Sequence, residues 1–218
     1  MRIAYQEWGA TNPAGTAKRI LALHGWLDNS NSFKVLGPKL ASIGYHMVAV
    51  DHLGHGKSTH INPDATYSST PAGVAIVNEI VESLGWESSN ILGHSMGAGI
   101  SLMFAGTFPE KVNKLVLIEG LGPVTAEPEA TPKNLRKSIE HEKKYQIKVA
   151  QTVGGAKNVP KIYPSFNDAV AARVKSVSTY PGEQSLSVEA ARLLVARYLT
   201  VMIGQFSKRI SQLYKRNL

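Results

Sequence analysis

Asn90-Ile91-Leu92-Gly93-His94-Ser95-Met96-Gly97-Ala98-Gly99 is the most informative stretch of this chain. A short apolar run leads into Gly-x-Ser-x-Gly. The pattern then passes into a small-residue helix, predicted from Ala98 to Phe108 and stopped by Pro109. A serine between a strand and a helix must sit on a tight, strained turn. A neighbour carrying a Cβ would collide there, and Gly93 and Gly97 remove those atoms. Such a turn pushes the Ser95 hydroxyl out at the carboxyl end of a sheet. It also puts the Met96 N–H at a helix N-terminus, where developing negative charge is stabilised. The residues therefore point to a nucleophilic serine.

Working outward, Ile20-Leu21-Ala22-Leu23-His24 is a second apolar run, and it ends at Gly25-Trp26. Acyl transfer needs two donors for its oxyanion, one after the nucleophile and one from a loop after an early strand. The Met96 and Trp26 backbone N–H groups are the candidates. Gly25 lets that loop fold in close, and His24 is read as orienting the loop rather than as a base. Asp28 and Asn29 are placed at the pocket mouth. A third run, His46 to Asp51, opens into Asp51-His52-Leu53-Gly54-His55-Gly56-Lys57-Ser58, a structured turn. Asp51 and His55 are expected to hydrogen-bond this loop and brace the site rather than to react. Lys114 to Glu119 is a fourth run, and Met1 to Trp8 reads as an N-terminal strand.

These runs are near-continuous rather than alternating, the signature of strands buried on both faces of a parallel sheet. Helical spacing separates them, at Phe33, Leu36, Leu40 and Ile43 and again from Pro71 to Leu84, with Thr70 as a cap. The expected fold is α/β, a mostly parallel sheet with helices on both faces. After Glu119 the character changes to a proline-rich loop and then to helical patterns at Lys133–Val153, Phe166–Ser176 and Leu186–Leu199. The expected organisation is a core over 1–123, a helical cap over 124–197 and a basic tail over 198–218.

Composition narrows the function. The 218 residues are 43% hydrophobic and 18% charged, which suits a folded domain and not a disordered chain. The absence of cysteine excludes a disulfide scaffold, a Cys-ligated metal and a Cys nucleophile. No run approaches the roughly 20 apolar residues of a membrane span, and the start does not read as a signal peptide, so cytoplasm is the default expectation. The net charge of +8 is lopsided: residues 1–123 carry 8 basic and 9 acidic side chains, residues 124–218 carry 16 and 7. No nucleic-acid recognition module accompanies the basic half, which is read as a solvated helical region. No metal-ligand cluster and no dinucleotide fingerprint stand out, so no metal and no cofactor is expected.

Together, the early His-Gly loop, the Asp51–Ser58 turn and the Gly93–Gly97 pattern resemble the α/β-hydrolase superfamily. Leu23-His24-Gly25-Trp26-Leu27-Asp28-Asn29, Ile91 to Gly97, Thr107 to Val112 and Lys137 to His141 are similar to the serine hydrolase-like, kraken-like esterase branch. The resemblance implies Ser95 as nucleophile, Trp26 and Met96 as oxyanion donors, and a small ester, thioester or amide as substrate. His24, Gly25, Asp28, Asp51, His55, Gly93, His94 and Gly97 take supporting places. It implies cytoplasm, peroxisome or vesicles as the setting. Some relatives take their acid where Glu119 stands.

The base is the missing part. In this fold the chain order is serine, acid, histidine, and the one histidine after Ser95 is His141, between Glu140 and Glu142 in a predicted helix. His94 is read as facing away from Ser95 across the turn. The expectation is a chain lacking the last strands and the histidine loop, with resemblance fading after Arg197. Two readings stay open: a serine hydrolase, and a ligand-binding or regulatory protein of the same fold without turnover.

Overall fold

The computed structural model describes residues 1–10, 18–60, 70–121, 127–137, 139–140, 144, 163–178 and 184–198. Five strands form one sheet in the order β1-β3-β2-β4-β5. They are β1 (Tyr5–Trp8), β2 (Lys18–Leu23), β3 (Tyr45–Val50), β4 (Ser89–His94) and β5 (Val112–Ile118). β1 pairs antiparallel with β3, and the other three pairings are parallel. Helices α1 (Leu36–Ser42), α2 (Thr70–Ser83) and α3 (Met96–Thr107) fill the crossovers. Further on, residues 131–137 (α4), Phe166–Val177 (α5) and residues 188–198 (α6) are helical.

Three of the four apolar runs became central strands for the reason their composition suggests, whereas the fourth, β5, lies at the sheet edge among the described residues and leaves Val116 and Ile118 exposed rather than buried on both faces. Leu21, Leu23, Val48, Val50 and Ile91 face Val77 and Val81 of α2 and Phe104 of α3 in one core. Ile20, Ala22, Met47, Ala49 and Leu92 point the opposite way, into a second core with Phe33, Leu36 and Leu40. Both faces of β2 and β3 are thus dry, and neither strand can alternate polar with apolar residues. A third, smaller cluster of Ala169, Val170, Ala191 and Val195 packs α5 on α6.

From β2 the chain moves one way along the sheet to β3, then crosses back to β4 on the other side. The carboxyl ends of β2 and β4 therefore flank a topological switch point, where connections diverge and leave a crevice. The two loops singled out by sequence, after Leu23 and after His94, both open there.

The candidate active site

Ser95 is the hinge between β4 and α3. Its backbone has φ 51° and ψ −112°, a region that residues with a Cβ avoid. The strain is held by packing and hydrogen bonds. Ser95 N–H donates to the Ile118 carbonyl at 2.9 Å, and its own carbonyl accepts from Ala98 and Gly99. A Cβ at Gly97 would strike the Leu23 and His24 carbonyls, and one at Gly93 would strike Ala98 and the Ser101 hydroxyl. The side chain of Ser95 is exposed. Met96 opens α3, so its N–H belongs to the first turn, whose donors lack intrahelical acceptors. The helix begins two residues earlier than its small-residue pattern suggests, because the strained bend consumes only Ser95.

The loop after β2 is a tight turn. The Gly25 carbonyl accepts the Asp28 N–H at 3.2 Å, and Leu27, with φ 59°, takes the left-handed position. Trp26 stands first in this turn, and its indole is half exposed. A methyl group on Gly25 would lie 3.3 Å from Ser95 Cβ and 2.9 Å from His94 Nδ1. The turn therefore sits directly against the serine.

Two buried histidines hold this loop, and their hydrogen bonds fix their tautomers. His24 Nδ1 donates to the Gly25 carbonyl at 2.7 Å, and its Nε2 accepts the His52 N–H at 3.0 Å. His55 Nδ1 donates to the Leu53 carbonyl, and its Nε2 accepts the N–H of the strained Leu27 at 3.2 Å. Both rings must be neutral to do this. Burial, reinforced for His24 by the adjacent His52, pushes both below the ordinary value. Neither ring has a nitrogen left for proton transfer.

Asp51 is a fully buried hub. One carboxylate oxygen accepts the Ser30 N–H and the other the Lys57 N–H, both at 2.8 Å. Arg197 Nε of α6 reaches both oxygens, at 2.9 and 2.8 Å. Asp28 is held likewise by Arg173 of α5 at 2.6 Å, and the Tyr198 hydroxyl donates to its backbone carbonyl at 2.9 Å. Asn29 and Asn31 donate to the Leu194 and Leu193 carbonyls. The helices after residue 163 thus grip the loops after β2 and β3. Arg173, Arg197 and Tyr198 were not singled out from the sequence. Their partners lie about 145 to 170 positions away, so no local spacing announces them.

Glu119 follows β5 with φ 52° and is largely exposed. Its Oε2 lies 3.2 Å from His94 Nε2. His94 Nδ1 lies 3.7 Å from Asp28 Oδ2. The His94 ring thus lies beside Gly25 with its two nitrogens toward Glu119 and Asp28. Glu119 meets this ring and no other among the described residues. His141, Leu199–Ile203 and the basic tail beyond Tyr198 lie outside the described residues. Among the described residues no group of three His, Asp or Glu could hold a metal ion, and no helix is long and apolar enough to cross a membrane.

Residues 18–152 match the family model for the alpha/beta hydrolase fold. A serine hydrolase-like protein of Danio rerio is 38% identical over 140 residues, 64% of this chain and 41% of the relative. A serine hydrolase-like protein of Homo sapiens is 41% identical over 117 residues, 54% of this chain and 55% of the relative. The chain thus spans about half or less of the length of these relatives. Among solved structures, a hypothetical protein of Pseudomonas aeruginosa PAO1 superposes with a TM-score of 0.70 at 38% identity, covering 89% of this chain and 61% of that one. The thioesterase domain from the curacin biosynthetic pathway superposes with a TM-score of 0.66 at 25% identity, covering 89% and 63%. The chain belongs to the alpha/beta hydrolase fold family, in its serine hydrolase-like branch.

Proposed function

We propose that this chain carries the acyl-transfer site of a serine hydrolase acting on a small carboxylic ester, thioester or amide. The observation that supports it most is the strained, exposed Ser95 packed against the Gly25 turn at the sheet's switch point. In this reading Ser95 Oγ attacks the carbonyl carbon. The Trp26 and Met96 N–H groups receive the charge that develops on the carbonyl oxygen, and water then releases the acyl group. Donors fixed in advance stabilise that charge without reorganisation, an effect of about 3 kcal/mol per donor.

Residues 124–197 serve as a cap that sets substrate size, tied to the core through Arg173–Asp28 and Arg197–Asp51. The thioesterase title of one structural neighbour supports keeping thioesters in the substrate class. No cofactor or metal is required by this chemistry. A reducing setting such as the cytoplasm fits the absence of cysteine.

The test is hydrolysis of p-nitrophenyl acetate and of an acyl thioester by the purified chain. Turnover that Ser95→Ala abolishes supports the proposal. A folded protein that binds acyl ligands without turnover supports the regulatory reading instead.

A further inference from the structure

The oxyanion role proposed for Trp26 makes a demand on the turn from Gly25 to Asp28. Its second N–H must keep one direction while charge develops. The turn is not one the chain favours by itself. Leu27 has φ 59°, a left-handed conformation that a residue with a branched side chain keeps only when its neighbours hold it. His24 Nδ1 donates to the Gly25 carbonyl at 2.7 Å, and His55 Nε2 accepts the Leu27 N–H at 3.2 Å. The fourth residue, Asp28, is held from much later in the chain. Arg173 Nη2 of α5 donates to its Oδ1 at 2.6 Å, and the Tyr198 hydroxyl of α6 donates to its carbonyl at 2.9 Å. Among the described residues no acceptor meets the Trp26 N–H.

One peptide plane ties these contacts together. The Gly25 carbonyl and the Trp26 N–H belong to the same trans peptide unit, so they point in opposite directions. Whatever fixes the carbonyl fixes the N–H. The carbonyl accepts from His24 and, at 3.2 Å, from the Asp28 N–H. That second bond is long, and it depends on where Asp28 stands. Arg173 anchors Asp28, and both side chains are largely buried. The guanidinium also offsets the Asp28 charge, since a bare carboxylate in this turn would oppose negative charge forming beside it.

We propose that Arg173 is a positioning residue for the acyl-transfer site: acting through Asp28, it aligns the Trp26 N–H and couples the placement of α5 to the oxyanion site. This rests on the hydrolase reading and deepens it. The path has three links. Arg173 holds the Asp28 carboxylate, the Asp28 N–H holds the Gly25 carbonyl, and the peptide plane carries that constraint to the Trp26 N–H. The turn lies against the serine, because a Cβ on Gly25 would stand 3.3 Å from Ser95 Cβ. A displacement of α5 therefore reaches the reacting centre through bonds already formed, without Arg173 touching the substrate.

The test is steady-state hydrolysis of p-nitrophenyl acetate by the full chain, with kcat expressed per Ser95 titrated to completion by a fluorophosphonate. Arg173→Gln should lower kcat by about 10 to 10²-fold and leave KM nearly unchanged. Arg173→Lys keeps a cation at Asp28 and should recover part of the loss. Arg192→Gln removes a cation that bonds Asn167 between α5 and α6 and should keep the wild-type kcat. The NMR amide resonance of Trp26 should move in Arg173→Gln and stay in place in Arg192→Gln, a contrast that a general loosening of the helices would not produce. Either an unchanged kcat per titrated serine or an unmoved Trp26 resonance in Arg173→Gln overturns the inference and leaves the serine reading standing. If the wild-type chain neither hydrolyses the ester nor is labelled at Ser95, the serine reading falls and this inference falls with it. Should Arg173→Gln fail to fold, Arg173→Lys decides by the same two readouts, with a smaller loss in kcat expected.

Discussion

Ser95 has a conformation its own chemistry does not favour, and the neighbouring glycines are what permit it. At Gly97 the added Cβ of alanine would meet the Leu23 and His24 carbonyls, backbone atoms that cannot step aside. Gly97→Ala should destabilise the fold by about 2–3 kcal/mol, a melting-temperature loss of roughly 5–10 °C. Differential scanning calorimetry measures this directly. The histidines give a second prediction. Burial, then the adjacent His55, lowers His52 from the ordinary 6.5 to about 4. Between those values the unfolded chain binds a proton that the folded chain refuses. Stability is therefore intact above pH 6.5 and falls as the pH drops toward 4, by roughly 3 kcal/mol from this residue. His24 and His55 act in the same direction. Urea denaturation at pH 7 and pH 4.5 should show the loss, and His52→Gln should reduce it. The serine turn was legible because its residues are adjacent in sequence. The carboxylate neighbours of His94 were not, because Glu119 and Asp28 arrive from other loops.

At the scale of elements, the central strands were readable because their inner segments are dry on both faces and therefore apolar, Ile20–Leu23 in β2, Met47–Val50 in β3 and Ile91–Leu92 in β4. Their order was not stated by any local pattern; it is set by where each crossover helix finds an apolar face. The grip of α5 and α6 on the core was equally hidden, since its pairings are single long-range contacts. Arg197 makes the one that ends on a fully buried carboxylate. Replacing it by methionine leaves the Asp51 carboxylate buried without its counter-charge, and two N–H donors alone remain on it. Arg197→Met should cost about 3–5 kcal/mol, with Arg197→Lys recovering only part, because a single ammonium cannot reproduce the guanidinium geometry. Chemical denaturation of the three proteins checks this. The same substitution should loosen the turn at Gly25, which shares the loop that Asp51 holds through Ser30.

For the whole molecule, the candidate site lies where the sheet reverses. β2 and β4 are neighbours in space whose connections leave in opposite directions, and the crevice between their ends receives both loops of the candidate site. The opposite margin is less protected. Among the described residues β5 pairs with β4 alone, and Val116 and Ile118 are 52% and 41% exposed. An open apolar edge favours self-association. Val116→Lys should shift the protein toward smaller species in light scattering, with little change in melting temperature. An unchanged distribution would show that this edge is not the sticky surface.

The most direct test of the site is a crystal structure of the chain after reaction with a small fluorophosphonate. The account predicts a covalent bond from Ser95 Oγ to phosphorus, with the phosphoryl oxygen about 3 Å from both the Trp26 and Met96 nitrogens. An adduct on another residue, or one on Ser95 whose oxygen points away from these two amides, would contradict it.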